Sequence, residues 1–106
     1  MTTRRVVTTR RADDDIDNAV SHYLNEGAPD AALGLIDALA DAKNLLSTHP
    51  LIGSTRYAIE TGIPELRSLA IAKFPYIVFY TEETDSLLIV RILHARRDIP
   101  AELSDQ

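Results

Sequence analysis

The sequence predicts an α+β domain of element order β-α-α-β-β-β, in which an antiparallel helical hairpin packs on one face of a small, mostly antiparallel sheet. Two observations predict this arrangement. Two segments with helical spacing of apolar residues lie between positions 10 and 48, joined by only three residues. Three short apolar runs follow between positions 66 and 94, and a polar, hairpin-sized connection joins the last two. At 106 residues the chain has the length of one domain, so we assign residues 1–106 to a single unit.

The first strand and the first helix are predicted from the N-terminal quarter of the chain. Residues 4–9 are short and rich in β-branched side chains, which is typical of a strand. From Arg10 to Glu26 apolar residues recur at intervals of three and four, as in a helix. Thr9 is suited to cap the start of this helix, and Gly27 is suited to end it.

The second helix begins at Pro29, because proline is favourable at the first helical position. It ends at His49-Pro50, because proline disfavours helix in the residue before it. Since so few residues join the two helices, they must fold back on each other as an antiparallel hairpin. Residues 51–65 are predicted to be a loop, and the polar segment after Asp98 a short tail.

The three later strands are predicted at residues 66–72, 76–80 and 87–94. The last two are apolar on both faces, whereas one helical layer can cover only one face of a sheet. An uncovered apolar face or an unpaired edge indicates a protein partner. Alternation along these strands gives the candidate partner contacts Tyr76, Val78, Tyr80, Leu88 and Val90.

Composition and charge exclude several functional classes. No apolar run approaches the roughly 18 residues of a membrane span, so no membrane association is expected. The chain has no cysteine, which excludes disulfides and thiol nucleophiles and is compatible with the reducing cytoplasm. The net charge of −5 is unfavourable for binding nucleic acid by bulk electrostatics, so we expect little direct nucleic-acid binding.

The three histidines, His22, His49 and His94, have separations that match no metal motif. We therefore expect neither a metal nor another cofactor. No glycine-rich phosphate loop and no nucleophile motif is present. His94 is the most informative of the three, because it ends the last strand directly before two arginines. Two interpretations stay open: a structural strand-end histidine, or a group that contacts a target or transfers a proton.

A basic cluster follows the last strand at Arg96 and Arg97. Arg67 and Arg91 lie on adjacent predicted elements, so these side chains could converge on one region. Convergent arginines are suited to recognise phosphate or carboxylate groups. The alternative is structural ion pairing, in which Asp98 holds one guanidinium group and leaves the other free.

An ordered set of short pieces carries a family resemblance. It consists of Ala12, Ile16 and Tyr23, then Ala32 and Ile36, His49-Pro50-Leu51-Ile52-Gly53, Leu66-Arg67-Ser68-Leu69, Pro75-Tyr76-Ile77-Val78-Phe79-Tyr80 and Arg91-Ile92-Leu93-His94-Ala95-Arg96-Arg97-Asp98. This set resembles the RelE/ParE superfamily of small prokaryotic toxins, on the ParE (plasmid-stabilisation) side. The resemblance implies the fold predicted above and a type II toxin–antitoxin module. It also implies a hetero-oligomer with a cognate antitoxin, whose C-terminal segment would cover the open sheet and the groove beside the helical hairpin.

The superfamily offers two activities. RelE-like toxins are similar to ribosome-dependent mRNA endonucleases, whereas ParE-like toxins inhibit DNA gyrase without a nuclease site. Two lysines, the acidic balance and a tail at 99–106 without aromatic, histidine or cation favour the gyrase inhibitor. A ribosome-dependent endonuclease and a non-toxic module that acts in operon autoregulation remain the alternatives. The candidate target contacts are Arg67, Arg91, His94, Arg96 and Arg97, and the candidate antitoxin contacts are the five apolar strand residues given above.

Overall fold

The computed structural model describes residues 3–104. Its elements in chain order are β1 (Arg5–Thr8), α1 (Arg10–Asn25), α2 (Pro29–Thr48), α3 (Arg56–Thr61), β2 (Arg67–Ala70), β3 (Tyr76–Glu82), β4 (Ser86–His94) and α4 (Ile99–Ser104). One four-stranded sheet has the order β1-β4-β3-β2, in which β1 runs parallel to β4 and the other pairs are antiparallel. The predicted α+β class and the order of the six main elements are confirmed. No helix within residues 3–104 is long and apolar enough to cross a membrane.

The helical hairpin forms where the local sequence predicts it. The Thr9 hydroxyl accepts the Ala12 N–H at 3.1 Å and so caps the start of α1. Gly27 follows the end of α1 with a φ of 72°, a left-handed conformation that glycine adopts without steric cost. Pro29 is the first residue of α2. The hairpin packs on one face of the sheet, where Leu35 and Val78 belong to the same buried cluster.

The second face of the sheet is covered by the two short helices, which were predicted as loop and tail. Leu66, Phe79 and Leu93 form a second buried cluster there with Ile99 and Leu103 of α4, and each is at most 4% exposed. The expectation of an uncovered apolar face is therefore wrong. A six-residue helix is too short to show a repeating apolar pattern, which is why periodicity missed both α3 and α4.

Strand β4 contains a bulge that changes which side chains share a face. Phe79 pairs with Arg91 and Tyr80 with Ile89, so Val90 has no opposite residue on β3. As a result Ile89 and Ile92 both join the cluster under the hairpin, whereas Val90 packs against the second cluster. Strict alternation along β4, which was used above to group Leu88 with Val90, would also place Ile92 on that face. This expectation is wrong, because an inserted residue reverses the alternation beyond it.

The apolar strand residues predicted to contact a partner lie mostly in the interior. Val78 and Tyr80 have no exposed surface, and Tyr76 is 9% exposed. They share one face, as predicted, but the protein's own helical hairpin covers that face. Leu88 and Val90 are half-buried. The physical reason for proposing the first three as partner contacts is thereby removed.

Candidate functional site

A groove of about 400 Å³ opens at the C-terminal end of β4, between α1 and the turn that leads to α4. We call it the strand-end groove. The side chains that give it its chemical character are Asn18 and His22 of α1, Tyr76 of β3, and His94, Arg96 and Arg97. Three of the five predicted target contacts thus meet in one place.

The groove exists because β1 ends before β4 does, and the start of α1 takes over its place beside β4. The Thr9 N–H donates to Ile89 O at 3.0 Å, and the Thr9 hydroxyl donates to Val90 O at 2.8 Å. Further along, an Asp15 oxygen accepts the Ile92 N–H at 2.9 Å. Thr9 and helix α1 therefore satisfy backbone groups of β4 that lie at and beyond the end of β1.

Arg91 lies beneath the groove as a buried structural cation, 4% exposed. Its Nε and Nη2 donate to the two oxygens of Asp15 at 2.7 and 3.0 Å in a bidentate ion pair. Its Nη1 donates to Glu102 O at 3.2 Å, and Nη2 lies 3.8 Å from the Glu102 carboxylate. This network joins α1, β4 and α4, so Arg91 is committed to the fold. The sequence indicated neither acidic partner.

His94 is held in a defined orientation at the edge of the groove. Its Nδ1 accepts the Arg96 backbone N–H at 3.1 Å, and its ring packs edge-to-face against Tyr76 with centroids 5.3 Å apart. A neutral ring that accepts at Nδ1 carries its proton on Nε2, which is therefore a donor. Burial and the neighbouring Tyr23 raise the pKa of Tyr76, and the nearby Arg97 opposes them.

The two arginines of the turn differ in their partners. Arg97 forms an ion pair with Glu102 at 2.9 Å, and this hydrogen bond lowers the pKa of the Glu102 carboxyl. The predicted pairing with Asp98 is wrong, because the Asp98 carboxylate instead accepts the Ala101 N–H at the start of α4. The Arg96 side chain is exposed and has no hydrogen bond or ion pair with any residue from 3 to 104.

Arg67 lies apart from the other candidate contacts, because β3 separates β2 from β4. Its Nη1 donates to Leu51 O at 3.1 Å and to Gly53 O at 2.9 Å. The Tyr80 hydroxyl holds the same loop, donating to Pro50 O and accepting the Gly53 N–H. The expected convergence of Arg67 with Arg91 is therefore wrong, and Arg67 holds a loop in place.

A second, more apolar groove of about 530 Å³ lies between α2 and the end of β2. We call it the α2 groove. Its lining includes the apolar side chains of Leu45, Leu69 and Phe74, the carboxylates of Asp37 and Asp41 on α2, and Lys73. Tyr23 connects the two grooves, because its ring contacts His22 of the strand-end groove and Phe74 of the α2 groove.

Within residues 3–104, no three His, Cys, Asp or Glu side chains are grouped so that they could hold a metal ion. The strand-end groove is lined by side chains that can donate hydrogen bonds. Its donors come from arginine, histidine, asparagine and tyrosine.

Comparison with known proteins shows which class of protein has this fold. The chain is similar to a solved structure described as the chromosomal ParDE TA system from P. aeruginosa, with 20% sequence identity and a TM-score of 0.71. The similarity covers 87% of this chain and 96% of that chain, and at this identity it shows the fold. A search of curated proteins finds no match.

The model of the family described as the ParE toxin of the type II toxin–antitoxin system, parDE, matches residues 6–99. The fold and this match define the chain as a toxin of a type II toxin–antitoxin system. It belongs to the ParE family. The predicted resemblance to the RelE/ParE superfamily, on its ParE side, is confirmed.

Proposed function

We propose that this toxin acts in the cytoplasm by binding DNA gyrase and inhibiting it, without catalysis of its own. The observation that carries this proposal is that three of the five candidate target contacts already have partners within the protein. A nuclease site needs several cations facing one phosphodiester, where they would stabilise developing charge. Arg67 holds a loop, Arg91 is buried against Asp15, and Arg97 is paired with Glu102. Few cations therefore remain that could face a phosphodiester of an RNA substrate. This arrangement favours binding to a protein target, as expected of ParE-like toxins.

The test is a supercoiling assay with purified gyrase, relaxed plasmid and ATP. Added toxin is expected to block supercoiling or to trap cleaved plasmid that detergent releases. The Arg96→Gln variant should inhibit less than Arg10→Gln, which removes the same charge from an exposed position outside the groove. Normal supercoiling at excess toxin would reject the proposal. Ribosome-dependent mRNA cleavage by the same preparation would instead support the endonuclease.

We further propose that a cognate antitoxin neutralises the toxin by docking an apolar, positively charged segment in the α2 groove. The groove is mainly apolar and Leu45 is 38% exposed within it. Among the described residues, its lining carries the two carboxylates of Asp37 and Asp41 against the single cation of Lys73, so it is acidic on balance. An apolar segment with neighbouring lysines or arginines would complement both features. This placement replaces the one on Tyr76, Val78 and Tyr80, which the protein's own helices cover.

Co-purification with the antitoxin encoded by the neighbouring reading frame tests this docking site. Ala42 lines the groove and Ala40 is exposed on the same helix outside it. Ala42→Arg fills the groove with a bulky cation, so we expect it to lose the antitoxin, whereas Ala40→Arg retains it. Equal recovery of antitoxin by the two variants would show that the segment binds elsewhere.

A further inference from the structure

The strand-end groove presents hydrogen-bond donors that have no acceptor among residues 3–104. The Arg96 guanidinium has no partner among residues 3–104. Arg97 donates through Nη1 to Glu102, which leaves its other N–H groups for a ligand. His94 is fixed by Tyr76 and by the Arg96 N–H, so its Nε2 proton is held in place at the groove wall.

The carboxylate of the groove, by contrast, already has hydrogen-bond donors within the protein. Asp15 is the one carboxylate among the described residues that line it, and both of its oxygens accept hydrogen bonds. Oδ2 accepts from Arg91 Nε and the Ile92 N–H, and Oδ1 accepts from Arg91 Nη2. The buried Arg91 compensates the charge of Asp15. The groove therefore offers positive charge and donors, a combination that is complementary to an oxyanion.

We infer that the strand-end groove binds a carboxylate, the side chain of an acidic residue on a protein partner. A carboxylate matches the planar fork of an arginine in bidentate geometry. The volume of about 400 Å³ admits one side chain with its flanking backbone. That the carboxylate belongs to a protein rests on the proposed function, whereas the preference for a carboxylate is a property of the groove.

The surroundings of the groove favour a single carboxylate over a run of phosphates. Asp13, Asp14 and Asp17 are exposed on α1, the helix that forms one wall, and the whole chain carries a charge of −5. A nucleic acid strand would place further phosphates along this acidic surface and be repelled by it. One acidic side chain needs only the groove itself.

The test is an NMR titration of the full chain that follows the His94 ring and the Arg96 side-chain N–H. The probe is an alanine pentapeptide with one central glutamate, and its control is the same peptide with glutamine. We expect saturable shifts at these two residues with the glutamate peptide and none with the glutamine peptide. Arg96→Gln should weaken binding about tenfold through the loss of a charge-assisted hydrogen bond. Arg10→Gln should leave it unchanged.

Two further probes distinguish the sources of an oxyanion, namely inorganic phosphate and a short single-stranded DNA. If either probe binds in the groove more tightly than the glutamate peptide, the inference is overturned. It is also overturned if the unmodified protein and Arg96→Gln bind the glutamate peptide with equal affinity, or if no saturable shifts are seen. Because Arg96 is exposed and unpaired within the described residues, its variant should keep the Tm of the parent, which confirms the fold. The titration needs no gyrase, so its outcome is independent of the supercoiling assay.

Discussion

Replacing Asp15 by alanine tests the buried network that supports the strand-end groove. The side chains of Asp15 and Arg91 are 12% and 5% exposed, and they form a bidentate pair at 2.7 and 3.0 Å. Asp15→Ala leaves the buried guanidinium without this carboxylate. It also removes the oxygen that accepts the Ile92 N–H, at a point where β1 no longer runs beside β4.

The size of the effect follows from these contacts. Removing one partner of a buried ion pair costs about 3–5 kcal/mol, because the other charge loses its close counter-charge. The Glu102 carboxylate, 3.8 Å from Arg91 Nη2, still compensates part of the Arg91 charge, so the lower end of this range applies. A backbone N–H left without an acceptor costs about 1–3 kcal/mol, and the two costs overlap because one carboxylate serves both groups. A domain is stable by only about 5–15 kcal/mol. The lower bound of 3 kcal/mol, at about 4 °C per kcal/mol, corresponds to a fall in Tm of roughly 12 °C.

Asp14→Ala is the matched control, because it removes the same charge from the adjacent position of α1. The Asp14 side chain is exposed and has no ion pair or hydrogen bond with any residue from 3 to 104, so we expect a change of about 0.5 kcal/mol or less. The assay is urea and thermal unfolding followed by circular dichroism. Asp15→Asn keeps an oxygen for the Ile92 N–H and should be intermediate. If Asp15→Ala unfolds with the midpoint of Asp14→Ala, the network does not stabilise the fold.

Three further changes probe other parts of the structure. Leu103→Ala leaves a cavity beneath α4, because the Leu103 side chain is only 1% exposed. Urea unfolding should show that the free energy of unfolding falls by about 2–5 kcal/mol. A fall below about 1 kcal/mol would mean that α4 does not pack on the sheet. Gly53→Ala places a Cβ 2.6 Å from the Tyr80 hydroxyl and 2.9 Å from the backbone oxygen of Ser68, so the Tm should fall. Adding Tyr80→Phe should not restore the Tm, because the clash with the backbone oxygen remains. An unchanged Tm would contradict this close approach. Because the Arg97 hydrogen bond lowers the pKa of Glu102, the carboxylate contributes stability above its ordinary value of 4.5 that is lost as pH falls through the lowered pKa. Glu102→Gln should therefore flatten the stability profile below pH 4.5, and identical profiles would refute the pairing.

Much of the fold could be predicted from the sequence because its signals are local. The helical periodicity, the Thr9 cap and the three-residue connection define the hairpin, and the apolar runs define β3 and β4. Helix α4 also has a local signal that the prediction did not use. Asp98 precedes a helix that contains a proline in its first turn, and Ile99 and Leu103, four residues apart, lie on its buried side.

The candidate site was predictable only in part. His94 and Arg96, two of the predicted target contacts, both line the groove, because they are neighbours in sequence. Arg67 was placed wrongly, because the order of the elements along the chain does not show which loop the Arg67 side chain contacts. Glu102 was missed, since its role depends on a helix that was predicted to be a tail.

The amino-acid sequence by itself determined the six main elements, their order and the ordered pieces typical of the ParE family, because each of these depends on residues a few positions apart. The tertiary structure decided which arginines face solvent, since Arg91 meets Asp15 across 76 positions of sequence. It also decided how the second sheet face is closed and where the alternation of β4 reverses. Such contacts depend on how the strands and helices pack in space, and no local period in the sequence carries that information.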